Sequence, residues 1–431
     1  MLGDNTLDAI ITLPNGKTFQ GKLIFTEQHN IVEFKENPNG TLSSKSIPIT
    51  YCEADNRKFT LVHCVMSSSN RKRSSYIINE LYEGEWIERG NDEDYINITA
   101  SVSHLTNWLK ADVIELEHLD TKDYYFSTKV RHNKEYKIRF GENKYLTFEG
   151  GSAVKMERNE IIISKNSSLT ITSENSISRQ ELFRNYWSFL NLFTLFLRVL
   201  PSTSQLSFKR KSSDLELLLI SKKDKKESPF DVLLDFDKLT TFEQYISNYF
   251  KYRLEFDQII PLWEISMKKD LDPEIIFLHL SQSIELFHKY FFQGDQVLRS
   301  EIANKIVTDF SDRYDKPSNK WTQIMRYYHL YEKTEEIGLK VPYSNEKKDF
   351  ILHLLDSRNY YTHHSEKEFV WTHFELYSIN NILRVWMRGL LLNQLELPIN
   401  TIQKCINGDF YNSIDIDIFK NPYSMRYKEP K

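Results

Sequence analysis

Between Lys222 and Pro229 the hydrophobic period of the chain changes, and this limits the fold more than any single motif does. Before that point apolar residues alternate with polar ones in short runs; from Leu239 onward they recur every three or four residues. Alternation suits strands, whose side chains point to opposite faces in turn, and the longer spacing suits helices. Strands gathered on one side of a break and helices on the other describe an α+β protein of two bodies. The break, Lys222-Lys223-Asp224-Lys225-Lys226-Glu227-Ser228-Pro229, is charged and proline-terminated, and reads as a solvated linker rather than an RNA contact. The expected division is a β-rich domain over 1–227, a helical bundle over 228–398, and a polar, aromatic tail over 399–431 with no assigned role.

The β-rich half opens with Ala9-Ile10-Ile11-Thr12-Leu13, then Pro14-Asn15-Gly16-Lys17, where Asn-Gly between alternating runs signals a hairpin. Further strands are expected at 21–25, 30–35, 58–66, 95–102, 136–140, 144–148, 160–164 and 168–172, with Ser67 to Ser75 as a polar, basic loop. Ser103 to Leu109 reads as a short helix. Many short strands at even spacing point to a sandwich or barrel. Ser178 with Glu181 forms a capping-box pattern that starts a mostly apolar helix running to about Val199, expected to be buried within the β-rich domain. A strand pair follows at 204–211 and 214–221.

Helices are expected at 242–256, 259–268, 277–292, 300–311, 319–331, 345–361 and 368–395. Asp272-Pro273 provides a start for the third, and Pro398 ends the last. Short connections between long helices imply antiparallel neighbours in a bundle.

Of the 431 residues, 40% are hydrophobic and 13% aromatic, with few Gly and Pro, which argues against disorder as a main theme. The formal net charge of −4 excludes the global basic footprint of a constitutive nucleic-acid binder, but not transient contact through a local patch. Three cysteines (Cys52, Cys64, Cys405) without metal spacing suit a reducing, cytoplasmic setting. The first residues lack a signal-peptide pattern, and the most apolar run, around Tyr186 to Leu200, is too short and too interrupted to span a bilayer.

The chemistry concentrates in Asp356-Ser357-Arg358-Asn359-Tyr360-Tyr361-Thr362-His363-His364. On a helix turning about 100° per residue, Asn359 and His363 share a face and Arg358 lies beside them. The trio suits a phosphodiester: Arg358 holds phosphate oxygens with two donors, His363 moves a proton near neutral pH, and Asn359 orients them. A metal set of His363, His364 and His373 with Asp356 or Glu366 is the weaker rival, because adjacent helical histidines diverge by about 100°. No metal or other cofactor is expected, and no Gly-rich phosphate loop, serine elbow or Cys-x-x-Cys pair occurs.

Arg-Asn-x3-His on a late helix, with an earlier helix reading Phe277-Leu278-His279-Leu280-Ser281-Gln282-Ser283-Ile284-Glu285-Leu286-Phe287-His288-Lys289, resembles the HEPN ribonucleases. The resemblance is greatest to the ApeA-like branch found in bacterial anti-phage systems, and it covers roughly 270–395. The strand at 95–102 followed by Leu-x-x-Trp-Leu resembles the ApeA-type N-terminal domain. The resemblance implies paired bundles whose motifs face each other across a homodimer (or higher even oligomer), and metal-independent cleavage of RNA, with tRNA as a plausible target. It also implies abortive anti-phage defence, with a β-rich domain that senses a phage-derived trigger, and no membrane partner. In this reading Arg358, Asn359 and His363 are catalytic. Tyr360 and Tyr361 fill the motif, one packing into the bundle or stacking on a base. His364 is the competing histidine, since Arg-x5-His also fits the broader pattern. Glu285 either neutralises and orients Arg358 or is a bundle-surface charge. The rival function is a non-catalytic HEPN-type module that binds RNA or nucleotide.

Overall fold

A computed structural model describes residues 6–26, 29–36, 45–69, 73–84, 86–87, 94–110, 114–118, 126–130, 134–157, 160–211, 216–220, 228–239, 241–268, 270–292, 296–310, 319–339, 347–364, 367 and 369–410. The chain divides into two units, Met1–Trp187 with Pro201–Pro229, and Ser188–Leu200 with Phe230–Lys431. Most of the charged break, residues 221–227, lies outside the described residues.

In the first unit, strands β1 (Thr6–Thr12), β2 (Thr18–Phe25), β3 (Asn30–Phe34), β4 (Ser46–Ala54), β5 (Arg57–Ser69) and β6 (Ser74–Glu83) pair antiparallel around a ring. The order is β6-β3-β2-β1-β4-β5, and β5 returns to β6, so the six strands close into a barrel without a free edge. Alternation sets what lies inside: Ala9 and Ile11 are buried, while Ile10 between them is 53% exposed. Ile11, Leu23, Phe25, Val32, Phe34, Phe59, Leu61 and Tyr76 form much of the core. The expected first hairpin is present, with Gly16 at φ +82° and the Leu13 N–H donating to Lys17 O at 2.8 Å. At Gly21 a Cβ would lie 2.2 Å from Ile11 Cδ1 and 2.3 Å from Glu33 O, so no side chain fits where β1 and β3 flank β2. Burial pushes the thiols of Cys52 and Cys64 up to about 12, which leaves them protonated and inert.

The rest of this unit contains β7 (Tyr95–Val102), α1 (Leu105–Leu109), β8 (Ile114–His118), β9 (Phe126–Val130), β10 (Lys134–Arg139), β11 (Lys144–Glu157), β12 (Glu160–Ile177), the first part of α2 (Arg179–Thr194), β13 (Thr203–Arg210) and β14 (Glu216–Ile220). A second sheet runs β10-β11-β12-β7-β13-β14 and joins the barrel where β14 pairs with β6; β8 and β9 form a separate hairpin. Two expectations change here. The strands expected at 160–164 and 168–172 are one strand, because Lys165-Asn166-Ser167 stays paired with Gly150-Gly151-Ser152. Backbone ladders tolerate a polar stretch that breaks the side-chain pattern. For the same reason the expected loop from Ser67 to Ser75 contains the ends of β5 and β6, with Ser68 opposite Ser75 and Ser69 opposite Ser74; residues 70–72 lie outside the described residues.

Helix α2 starts as expected, with the Ser178 hydroxyl accepting from the Glu181 N–H at 3.0 Å. It ends at Thr194 rather than Val199, where the N–H groups of Leu195, Phe196 and Leu197 turn to carbonyls three residues back. From Ser188 onward it belongs to the second unit, not to the β-rich one. In that stretch Ser188 Oγ and Asn191 Nδ2 donate to Asp257 at 2.9 and 3.2 Å, and Phe196 packs on Phe242.

The second unit is helical: α3 (Phe242–Lys251), α4 (Arg253–Glu264), α5 (Pro273–Phe292), α6 (Gln296–Phe310), α7 (Asn319–Glu336), α8 (Lys347–His363), α9 (His373–Gln394) and α10 (Ile399–Phe410). Helix α5 packs against α4, α7, α8 and α9. The run expected as one helix over 242–256 breaks at Tyr252. Helix α10 corrects the expectation of a tail over 399–431: Ile402, Cys405 and Ile406 face inward, and Asp409 one turn later pairs with buried Arg388. A polar, glycine-containing segment hid that seam. Residues 411–431 lie outside the described residues. No described helix is long and apolar enough to cross a membrane.

Glu264 closes α4, and desolvation pushes its carboxyl from the ordinary 4.5 up to about 7, against the lowering effects of Thr194 and Lys268. A carboxyl whose pKa is raised by folding holds its proton more tightly in the native state, so stability is full below pH 4.5 and declines as pH rises through 7. Part of the side chain remains accessible, which reduces the effect. Glu264→Gln is therefore expected to gain about 1–2 kcal/mol over the wild type at pH 8 and nearly nothing at pH 4. Urea unfolding followed by helical circular dichroism at the two pH values measures it; an equal gain at both excludes the titration.

Candidate functional site

Helix α8 carries the Arg-Asn-x3-His motif from the core to the surface within two turns. Phe350 through Ser357 are all buried, Arg358 through Tyr361 are half-buried, and Thr362, His363 and His364 are exposed. The segment entering α9 straps the buried end. Ser357 Oγ accepts from the Trp371 N–H at 2.8 Å, Tyr361 OH donates to Trp371 O at 2.8 Å, and Asp356 Oδ2 accepts from the Phe369 N–H at 3.4 Å. Trp371 is fully buried, with His353 stacked on it and Phe277 at its edge. The strap ends at Thr372, whose capping box with Glu375 starts α9 at His373, later than the sequence pattern implied. Helix α8 stops where His364 takes a left-handed φ of +52° and its N–H donates to Tyr360 O.

Of the motif residues, Arg358 is the most constrained. Its Nε donates to Glu285 Oε1 on α5 at 3.0 Å, and its Nη1 donates to Asn359 Oδ1 at 3.3 Å. Glu285 thus forms an ion pair with Arg358 across α5 and α8. It is not a free surface charge: its Oε1 also accepts from Tyr327 OH at 2.9 Å, and Arg326 lies 3.9 Å from its Oε2. Tyr327 is fully buried, and burial beside the Glu285 carboxylate pushes its phenol well above the ordinary value. The structure brings Arg358, Asn359, Glu285 and Tyr327 into one hydrogen-bonded group.

The His363 imidazole stands beyond that group, exposed on the last turn of α8. Asn359 turns its carbonyl to Arg358 rather than to the imidazole. Tyr361 is the tyrosine that packs inward, its ring 6.2 Å from Phe277. Tyr360 lies edge-on to Tyr361 and to His364, at 5.0 and 6.5 Å between ring centres. The rival metal set is not assembled among the described residues: His373 pairs with Glu274 at 2.6 Å, and Glu366 lies outside them.

Tyr327, Arg326 and the Trp371 strap were missed in the sequence. Ile324, Tyr327, Tyr328 and Tyr331 form an apolar seam at helical spacing, in which a tyrosine reads as packing. The usable signal was the hydroxyl itself, since a buried phenol needs a polar partner. Nothing local marked Ser357 as the acceptor for a residue fourteen positions later.

A family model described as ApeA N-terminal domain 1 matches residues 10–249, and one described as Apea-like HEPN matches residues 278–400. No curated protein and no solved structure matches the chain.

Proposed function

From the premise that the chain belongs to the ApeA family and carries its HEPN domain, we propose that it is a metal-independent endoribonuclease acting in anti-phage defence. HEPN domains are generally ribonucleases, so the match supports a nuclease-type function. The observation that carries the finer reading is the pairing of a fixed guanidinium with an accessible imidazole near the end of one helix. Arg358 is held at Nε and Nη1, while His363 is free to meet substrate at the surface.

RNA supplies its own nucleophile. His363 takes the proton from a 2′-hydroxyl, and the 2′-oxygen attacks the adjacent phosphorus. Arg358 stabilises the charge of the pentacoordinate phosphorane, and the bond to the 5′-oxygen breaks as that oxygen receives a proton. In a symmetric homodimer, His363 of a second copy provides that proton. The products are a 2′,3′-cyclic phosphate and a 5′-hydroxyl. Asn359 acts by holding Arg358, and Tyr360 and His364 flank the site. The β-rich unit is the place for restraint and for recognition of a phage-derived trigger, and tRNA is a candidate substrate.

The test is purified protein incubated with total RNA in EDTA, followed by sequencing of the fragment ends. Cyclic phosphates at discrete positions are the expected result. Cleavage that requires a divalent ion overturns the mechanism. RNA that is retained but never cut leaves the non-catalytic binding module.

A further inference from the structure

We infer that Tyr327 on α7 is a positioning residue for Arg358, acting through the Glu285 carboxylate, and that its neighbour Arg326 offsets that carboxylate's charge; the inference rests on the ribonuclease reading above. A guanidinium paired to one carboxylate is a poor phosphate ligand for two reasons. Its charge is compensated, and a single contact leaves it free to rotate. The two α7 residues address one problem each.

Arg326 addresses charge. Its Nη1 lies 3.9 Å from Glu285 Oε2 while Arg358 takes Oε1 at 3.0 Å. Two guanidinium groups and one carboxylate leave one formal positive charge in a cluster whose side chains are 18–25% exposed. That charge attracts a phosphodiester even though the chain as a whole is acidic. Tyr327 addresses orientation. Its hydroxyl donates to the oxygen that accepts from Arg358 Nε, so the carboxylate is pinned on the side facing α8. The guanidinium is then fixed by Nε and Nη1, and among the described residues nothing engages Nη2, whose two N–H groups are left for phosphate oxygens. The raised phenol pKa keeps Tyr327 a donor throughout the working pH range. Without it the carboxylate can turn toward Arg326, and Arg358 loses its anchored edge.

Tyr327→Phe retains the ring and removes only the donor. With an RNA oligonucleotide cut by the wild type, kcat is expected to fall about tenfold with KM within about twofold. Arg326→Gln is expected instead to raise KM about fivefold, an effect that shrinks as salt is added. A second readout is independent of catalysis: the Nε–H resonance of Arg358 in the ¹⁵N-labelled full chain, assigned by its loss in Arg358→Lys. Tyr327→Phe is expected to shift and broaden it. A wild-type kcat, or a lowered melting temperature with the Arg358 resonance unmoved, overturns the inference. If the wild type cuts no RNA, the ribonuclease reading fails on its own, and the resonance alone still decides whether Tyr327 positions Arg358.

Discussion

His363→Ala is expected to reduce RNA cleavage by about a thousandfold while leaving the protein folded, because a positioned acid–base group contributes about 10²–10⁴ to a rate. His363 is exposed on the last turn of α8, so its loss removes no core packing, and thermal melting is expected to stay within about 0.5 kcal/mol of wild type. This separates chemistry from stability more cleanly than any Arg358 variant, since Arg358 also answers Glu285 and Asn359. The measurement is the rate of appearance of 2′,3′-cyclic phosphate ends. In cells, overexpressed wild type is expected to arrest growth or protect against phage, and the alanine variant to do neither. If the variant cleaves at the wild-type rate, His363 is not the proton carrier, and His364 is the next residue to replace.

Asp409→Ala is expected to cost the helical unit about 3–5 kcal/mol, the usual result of leaving a buried charge without its partner. Asp409 is 4% exposed and pairs with Arg388, which is 0% exposed, and with Arg384 at 3.3 Å. Arg388 also donates to Leu197 O at 2.6 Å and lies over the Trp263 ring at 5.0 Å. Those contacts fix the guanidinium but cannot neutralise it. Alanine therefore leaves it stranded, with Arg384 beside it already harder to keep charged through desolvation. Loss of helical circular dichroism on heating reports the effect. A double replacement, Arg388→Met with Asp409→Leu, is expected to recover part of the loss, because it removes the fully buried guanidinium with its carboxylate and leaves only the partly exposed Arg384 without a partner. If Asp409→Ala melts with the wild type, the pair contributes nothing. Truncation after Pro398 removes Asp409 as well as the Ile402, Cys405 and Ile406 seam, and is expected to unfold the unit rather than trim a tail.

The legible parts were those written into a short stretch of chain. The first hairpin was readable because Asn15-Gly16 fixes its turn, and β7 because apolar and polar residues alternate from Ile96 to Val102. The start of α2 was readable because Ser178 and Glu181 are three residues apart. Closure of β1–β6, one of the two architectures the strand spacing left open, was not, since it depends on β5 pairing with β6 while β6 also pairs with β3, a choice of partners that no alternation pattern specifies. The split of α2 between units was hidden too: Ser188 and Asn191 look like flaws in an apolar helix until Asp257 is placed opposite them.

At the site, the sequence by itself determined which residues are offered: an arginine, a carboxamide and a histidine on one helical segment, with a carboxylate on an earlier helix. Those follow from spacing and residue type, properties that a linear pattern contains. Only the tertiary structure decided that Glu285 is the carboxylate that takes Arg358, that Tyr327 shares its oxygen, and that the end of α8 is tied down by Trp371. Hydrogen bonds between α5, α7 and α8 join positions separated by tens of residues, and their length and direction arise only when those helices pack.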